Sequence, residues 1–235
     1  MKNQPIIITI DGPVASGKSS VAKALCKHFG FYFLATGLLY RALAYILAEK
    51  ENRISLPLHP DQASKLSIAD LDCLKHVTYA WHNDQAHISY KNIDITQHLH
   101  SDHMGHAASI ISAMPQVRTA LLDFQRTIAS NHSVIAEGRD CGSIVFPHAT
   151  IKFFLTASVK ARAQRIMTDA LRSKAPRSLE QVTQEIIQRD ERDKQRAVAP
   201  LVIPPDAIVI DNSDIKTLQE TVDIFTNIIS EKLNH

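Results

Sequence analysis

A glycine-rich turn near the start of the chain, between an apolar run and a helical pattern, constrains the fold more than any other feature. Residues 12–19 read GPVASGKS, the complete G-x-x-x-x-G-K-S motif, and they follow the apolar run 6–10. The amphipathic pattern that comes next has its apolar face formed by Val21, Ala22, Leu25 and Phe29. Gly30 is a suitable residue to end such a helix. The chain is therefore predicted to begin with a strand, a tight turn and a helix.

A turn of this kind points backbone N–H groups and the positive end of a helix dipole at one anion. Within it, Lys18 can reach the β and γ phosphates of a nucleotide, and Ser19 can ligate Mg²⁺. The residues predicted to bind ATP here are Gly12, Pro13, Val14, Ala15, Ser16, Gly17, Lys18, Ser19 and Ser20. The alternative is an ordinary glycine turn that carries an exposed lysine.

Short apolar runs of strand length recur along the chain, with helical patterns between most of them. The runs are 6–10, 31–34, 133–136, 150–155 and 207–210. Helical patterns include 38–50, 115–130 and a last helix with Ser213 as its N-cap. This alternation predicts an α/β fold with a five-stranded parallel sheet covered by helices.

One stretch, 53–102, breaks this alternation. Within it, the runs 77–81 and 86–90 flank a turn-rich tetrapeptide, so we predict an inserted β-hairpin. Further on, residues 160–196 carry ten Lys or Arg against six Asp or Glu. That excess suits a polyanionic ligand, although a charge-rich helix with i,i+4 pairs is the alternative. The segment 172–179 is predicted to be a mobile connection in a short helical lid.

Composition excludes several classes of protein. A net charge of +2 does not call for nucleic acid as a partner. The three cysteines are widely spaced without a C-x-x-C pair, which argues against a disulfide framework or a thiolate zinc site. We find no signal-peptide pattern and no apolar stretch close to the ~20 residues of a membrane span, so we expect a cytoplasmic protein with no membrane partner.

Arginine accompanies small or acidic residues in four places. These are residues 36–41, Ser109 with Arg118, residues 137–140 and residues 189–196. Ligands of open α/β sheets bind beyond the carboxyl ends of the strands, where three of these stretches are expected to lie. The planar guanidinium matches phosphate oxygens in pairs. Structural Arg–Asp pairs are the alternative for each stretch taken singly.

The sequence also lacks an obvious catalytic base next to a nucleophile, and it has no G-x-S-x-G or H-E-x-x-H motif. A kinase that acts on a sugar hydroxyl normally needs a carboxylate base. A phosphate acceptor does not, because its oxygen is already ionised near neutral pH. These features together favour a mononucleotide kinase.

The chain resembles the bacterial cytidylate kinase family over essentially its full length. The resemblance is carried by IDGPVASGKSS at 10–20, TGLLYRALA at 36–44, AEGRDCGSIVFPHA at 136–149 and RDERDKQRAVAPL at 189–201. It implies a monomer that transfers the ATP γ-phosphate to CMP or dCMP with Mg²⁺. It also implies a core formed by 1–36, 103–159 and 197–235, a monophosphate-binding region at 37–102 with a β-containing insert, and a lid at 160–196.

The resemblance further implies individual roles. Asp140, with Ser109 and Arg118, would recognise cytosine, whose amino group needs an acceptor; uracil would meet that aspartate badly. The other CMP-binding positions are Thr36, Tyr40, Arg41, Arg139, Arg189, Asp193 and Arg196. Positions near ATP on the lid helix are Arg162 and Arg165. The catalytic cations would be Lys18, Arg139, Arg189 and Arg196.

This sequence departs from the family pattern at Ala35, where relatives have an aspartate, while Thr36 keeps the following hydroxyl. Two other functions stay open at this point: a P-loop kinase with another acceptor such as UMP or AMP, and a non-catalytic ATP-binding regulator. The histidines between His98 and His106 are predicted to form a solvated hinge, and a metal site is the alternative.

Overall fold

The computed structural model describes residues 4–82, 85–168, 178–215 and 217–234. The chain divides into two compact units, which we describe separately. The core unit comprises Met1–Phe33 and His132–His235, and the second unit comprises Leu34–Asn131.

In chain order, the described strands are Ile7–Asp11 (β1), Tyr32–Ala35 (β2), Val77–His82 (β3), Gln85–Tyr90 (β4), Ile93–Asp94 (β5), Val134–Gly138 (β6), Ile151–Thr156 (β7) and Ile208–Asp211 (β8). The described α-helices are Lys18–Phe29 (α1), Thr36–Tyr45 (α2), Pro60–Ala63 (α3), Asp102–Ile111 (α4), Pro115–Ala129 (α5), Val159–Thr168 (α6), Leu179–Gln195 (α7) and Leu218–Leu233 (α8).

Within the described residues, five strands form the main sheet in the order β2-β6-β1-β7-β8. β1 pairs in parallel with β6 and with β7, and β7 pairs in parallel with β8. Ile8 and Ile10 of β1, and Thr9 between them on the opposite face, have no exposed surface, as expected for a strand covered on both faces. The predicted α/β class and its five-stranded parallel sheet are confirmed.

The ends of the first and last helices are set by local chemistry. α1 ends at Gly30, whose φ of 69° is left-handed, as predicted. The prediction that Ser213 is the N-cap of the last helix is wrong. The Ser213 hydroxyl instead donates to Asp211 and accepts from the amide of Ser158. Thr217 caps α8 instead, because its Oγ1 accepts from the amide of Glu220 at 3.2 Å.

In the second unit, α2 begins two residues before the predicted 38–50 helix and changes to a π-helical turn over Ile46–Lys50. The predicted hairpin is confirmed, since β3 and β4 pair antiparallel. Asn83 and Asp84 of its turn lie outside the described residues. β5 extends this small sheet along β4. That strand was not predicted, because two residues are too few to show the alternation of apolar and polar side chains that marks a strand.

The two charged helices of the predicted lid, α6 and α7, pack on a small apolar cluster of Ala163, Val182 and Ile186. Most of the connection predicted at 172–179 falls within 169–177, which lies outside the described residues. Among the helices that are described, none combines the length and the apolar character needed to cross a membrane.

Replacing Phe225 on α8 tests the packing of helix on sheet. Its ring lies 4.4 Å, centroid to centroid, from that of Phe153 on β7, and both side chains are fully buried. Phe225→Ala should lower the free energy of unfolding by about 3–5 kcal/mol, measured by urea denaturation, because a large cavity opens. Ile224→Ala, on the exposed side of the same helix, is the control and should cost less than about 1 kcal/mol. Equal losses in the two variants would contradict this packing.

Candidate active site

The phosphate loop connects β1 to α1 and takes backbone conformations that suit glycine. Gly12 has a φ of 147° and Gly17 a φ of 97°. A Cβ at Gly12 would lie 2.0 Å from the carbonyl oxygen of Leu155 in β7, so a larger residue would displace the loop. The loop therefore rests directly on the sheet, beside the carboxyl ends of β1 and β7.

Lys18 is buried within this loop, with only 4% of its surface exposed. Its Nζ donates to the carbonyl oxygen of Pro13 at 2.6 Å and to Ser16 Oγ at 3.3 Å. The alternative of an ordinary turn with an exposed lysine is therefore wrong.

Burial lowers the pKa of Lys18 to about 7, and the positive charge of Arg139 lowers it further, while Glu137 and Asp11 oppose the shift. An anion bound beside this lysine would stabilise the charged form of its amine.

Ser19 and Glu137 form an oxygen-rich pair next to Lys18. Ser19 Oγ donates to Glu137 Oε1 at 3.1 Å. Mg²⁺ prefers oxygen ligands, so these residues would suit a magnesium ion bound together with a nucleotide. Glu137 was not among the predicted site residues. Its place opposite Ile10, where β6 and β1 end side by side, could have identified it.

The two arginines of α6 donate hydrogen bonds to carbonyl oxygens of the phosphate loop. Arg162 is buried, donates to the carbonyl oxygens of Ala157 and Val14, and pairs with Asp190 at 2.7 Å. Arg165 donates to the side-chain and main-chain oxygens of Asn212, at 3.0 and 2.6 Å.

Asn212, which follows β8, was also missed by sequence reasoning. Its amide group donates to the carbonyl oxygen of Ser16 at 3.1 Å, inside the phosphate loop. Both arginines thus contact the loop or its supports. A direct contact between either of them and ATP stays a prediction.

A second group of charges surrounds Asp193 on α7. Arg139 Nε donates to Asp193 Oδ2 at 2.9 Å, and both side chains are largely buried. Burial alone would raise the pKa of the Asp193 carboxyl, but the charges of Arg139, Arg196 and Arg189 outweigh burial and hold that pKa below its usual range. The predicted residues of 137–140 and 189–196 therefore come together in the core unit.

Asp140 lies on the turn after β6 and is only 5% exposed. Its backbone oxygen accepts from the amides of Ile144 and Val145, so the residue starts the π-helical turn Cys141–Val145. These hydrogen bonds restrain the backbone that carries the Asp140 side chain.

In the second unit, the other residues predicted to bind the nucleotide that accepts the phosphate lie on α2 or close to it. Thr36 and Tyr40 are buried on that helix, and the Arg118 guanidinium lies 5.6 Å above the Tyr40 ring. Arg118 also donates to the carbonyl oxygen of Ser112 at 3.0 Å. Ser109 is half-buried on α4, which packs against α2.

Arg41 is held against the start of α4. Its Nη1 donates to the carbonyl oxygens of Leu99 and Ser101, at 2.8 and 3.3 Å. A Cβ on Gly105 would lie 2.9 Å from Arg41 Nη2, so a larger residue there would shift the end of the Arg41 side chain.

The histidines nearby make local contacts. The His98 ring stacks on Tyr45, and His103 shares a hydrogen bond with Ser101. Within the described part of the chain, no cluster of three or more metal-ligating side chains occurs.

A parallel sheet with a complete phosphate loop between its first strand and helix, and a lysine buried in that loop, defines a P-loop nucleotide-binding protein. Comparisons with known proteins narrow this class. A sequence model of the family Cytidylate kinase matches residues 8–231. The chain therefore belongs to the cytidylate kinase family.

The relatives cover nearly the whole chain. A cytidylate kinase of Shewanella sp. (strain MR-4) is 37% identical over 100% of this chain and 99% of its own length. One from Chlamydia muridarum is 39% identical over 97% of this chain and 100% of its own length. Among solved structures, shikimate kinase from Bacteroides thetaiotaomicron matches with 10% identity and a TM-score of 0.48, covering 96% of this chain and 98% of its own. A similarity at that level says nothing about substrate.

The burial of Lys18 predicts proton uptake on nucleotide binding. Its pKa of about 7 means that the amine is mostly neutral at about pH 8, whereas bound phosphates favour the charged form. Calorimetry of MgATP binding at about pH 8, in buffers of different ionisation enthalpy, should report uptake of a large part of one proton. Below about pH 6 the amine is already charged, and its contribution should vanish. Lys18→Met is the control and should show no uptake; a wild-type heat independent of buffer at the higher pH would contradict the buried lysine.

Proposed function

We propose that this chain is a nucleoside monophosphate kinase that transfers the γ-phosphate of ATP to CMP or dCMP, giving CDP or dCDP. The observation that carries the proposal is a cluster of cations around the buried Lys18 in the core unit. The positive charges of Arg139 and Arg189 lower the pKa of Lys18, and Arg139 also pairs with Asp193 at 2.9 Å. Such a cluster is suited to stabilising a phosphoryl group that passes between two nucleotides. The full-length match to cytidylate kinases identifies the acceptor.

The acidic groups around Lys18 explain why a phosphate acceptor suits this site. Glu137 accepts from Ser19, Asp193 pairs with Arg139, and Asp11 accepts from backbone amides. Each carboxylate is committed to a structural contact, which makes it a poor base for an acceptor hydroxyl. A nucleoside monophosphate needs none, since its phosphate oxygen is already ionised and requires only alignment and neutralisation.

In the proposed reaction, the backbone amides of the phosphate loop and Lys18 hold the β and γ phosphates of ATP. Arg139, Arg189 and Arg196 neutralise charge on the transferred group, and Asp193 keeps Arg139 in place. Mg²⁺, held through the Ser19 hydroxyl with Glu137 close by, supplies further charge neutralisation when bound. Arg162 and Arg165 complete the ATP-binding set.

For the acceptor, we propose that Asp140 accepts from the cytosine amino group, with Ser109 and Arg118 as further contacts to the base. Arg41 and Arg139 would bind the acceptor phosphate, and Thr36 and Tyr40 would complete that set. The functional division follows the sequence expectation: a core of 1–36, 103–159 and 197–235, a monophosphate-binding region of 37–102 and a lid of 160–196. We further propose that the protein acts as a monomer in the cytoplasm.

The other candidate functions are less well supported. A kinase specific for UMP or AMP would not explain the match to cytidylate kinases along the whole chain. A non-catalytic ATP-dependent regulator needs a sizeable exposed apolar patch for a partner. The described surface of α6 and α7 is instead rich in charged residues.

An acceptor screen tests the reaction directly. ADP formation from ATP should be fastest with CMP or dCMP, and slower with UMP, AMP or GMP, in a coupled spectrophotometric assay. Lys18→Met should lower kcat by at least about a hundredfold, because this cation no longer stabilises the negative charge of the transition state. The circular dichroism spectrum should stay unchanged. Near-normal kcat in that variant, or a preference for UMP or AMP, would contradict the proposal.

Asp140→Ala tests recognition of the base. The KM for CMP should rise by the equivalent of about 1–3 kcal/mol, since a buried polar contact is lost, while the KM for ATP changes little. Discrimination between CMP and UMP should fall in parallel. Asp123→Ala, which removes a carboxylate from α5 at a position without a proposed role, is the control. An unchanged ratio of CMP to UMP activity in Asp140→Ala would refute the role in cytosine recognition.

A further inference from the structure

Asp11, the last residue of β1, is a fully buried carboxylate with no role in the reaction proposed above. Its Oδ1 accepts from the amide of Cys141 at 2.8 Å, and its Oδ2 accepts from the amide of Gly142 at 2.7 Å. These amides directly follow Asp140. The next residue after Asp11 is Gly12, the start of the phosphate loop. Asp11 therefore joins the loop to the turn that carries Asp140.

Gly142 lies close to side chains of β1. A Cβ there would lie 2.7 Å from Thr9 Oγ1, 3.1 Å from Pro204 Cγ and 3.3 Å from Asp11 Oδ2. A side chain at this position would have to displace the turn or these neighbouring side chains, and either movement would disturb the hydrogen bond to Asp11. The contact thus depends on a carboxylate on one side and on the absence of a side chain on the other.

The charged groups that act on Asp11 belong to the reaction site. Burial raises the pKa of Asp11 to about 6; the Gly142 and Cys141 amides oppose this rise, Asp140 adds to it and Lys18 opposes it. A carboxylate costs considerable free energy to bury at such a position. A carboxylate is also the side chain whose separate oxygens can both accept a hydrogen bond while neither donates.

We propose that Asp11 is a positioning residue for the acceptor nucleotide, which holds the turn bearing Arg139 and Asp140 at a fixed distance from the phosphate loop. This inference rests on the proposed function, because Asp140 meets the acceptor only if that acceptor is a cytosine nucleotide. Displacing a recognition group by about 1 Å can lower the rate by up to about a hundredfold. Loss of this contact should raise the KM for the acceptor nucleotide and leave the KM for ATP nearly unchanged, since the ATP phosphates are bound by the loop itself.

Asp11→Asn is the first test, because it keeps the size of the side chain. An asparagine oxygen can accept from one amide, but its NH₂ group then faces the other N–H, and that hydrogen bond is lost. The KM for CMP should rise about tenfold, because one hydrogen bond instead of two then positions the turn that carries Asp140, while the KM for ATP stays within about twofold. The preference for CMP over UMP should fall as well.

Gly142→Ala is the second test, because it moves the turn without changing any charge. It should produce the same split between the two KM values. Ile229→Ala is the control, since it removes fully buried apolar atoms from α8 and destabilises the fold without touching this turn. If Asp11→Asn and Gly142→Ala raise both KM values equally, or behave like Ile229→Ala, Asp11 is merely structural and the proposal is overturned.

Amide resonances give a readout that does not depend on activity. In ¹H–¹⁵N spectra of the unliganded protein, the Cys141 and Gly142 signals should titrate with a midpoint near 6, and should stop doing so in Asp11→Asn. If the two signals keep their wild-type positions in Asp11→Asn, the contact is overturned. If the wild type forms no ADP with CMP, the proposed function fails, and the acceptor role of Asp11 fails with it, even where the amides titrate. If the wild type is active and the variants lack the KM split, only the role of Asp11 is overturned.

Discussion

The arrangement of the core unit depends on the burial of Lys18 inside a loop of backbone carbonyls and amides. An ammonium group in this position loses its hydration, and its hydrogen bonds to Pro13 and Ser16 replace only part of that loss. The surrounding charges follow from this constraint. Glu137 and Asp11 lie close enough to favour the charged amine, while Arg139 and Arg189 oppose it. A phosphate bound beside the amine would favour its charged form.

Much of the fold could be predicted from the sequence, because its elements carry strong local signals. The strand before the phosphate loop, the helix after it and its end at Gly30 follow from apolar periodicity and from glycine. The hairpin of the second unit was predictable from two alternating runs around a polar turn. The N-cap of α8 was predicted wrongly because Ser213 and Thr217 are both good caps by composition. The choice between them is made by two residues that engage Ser213: Asp211, which is close in sequence, and Ser158, which is distant and not visible to a local pattern.

Site residues that belong to a recognisable motif could be predicted from the sequence. Those whose side chains hydrogen-bond to main-chain atoms could not. The phosphate loop and the charged residues of 137–140 and 189–196 were expected to line one ligand site. The pair Arg139–Asp193 brings one residue of each charged stretch together in the core unit, and ligand binding by these stretches stays a prediction. Asn212 and Asp11 contact main-chain atoms, which have no sequence signature. The individual functional roles stay predictions that the kinetic tests address.

The close approach of Gly12 to the carbonyl oxygen of Leu155 has a consequence for how such motifs are interpreted. This glycine is required by the packing of the loop on β7, whether or not a nucleotide ever binds. A descendant of this protein that had lost catalysis but kept its sheet would still be under selection to keep Gly12, whereas the buried charge of Lys18 costs free energy that only its hydrogen bonds within the loop offset. In a comparison of active and inactive relatives, the lysine would distinguish the two groups and the first glycine would not.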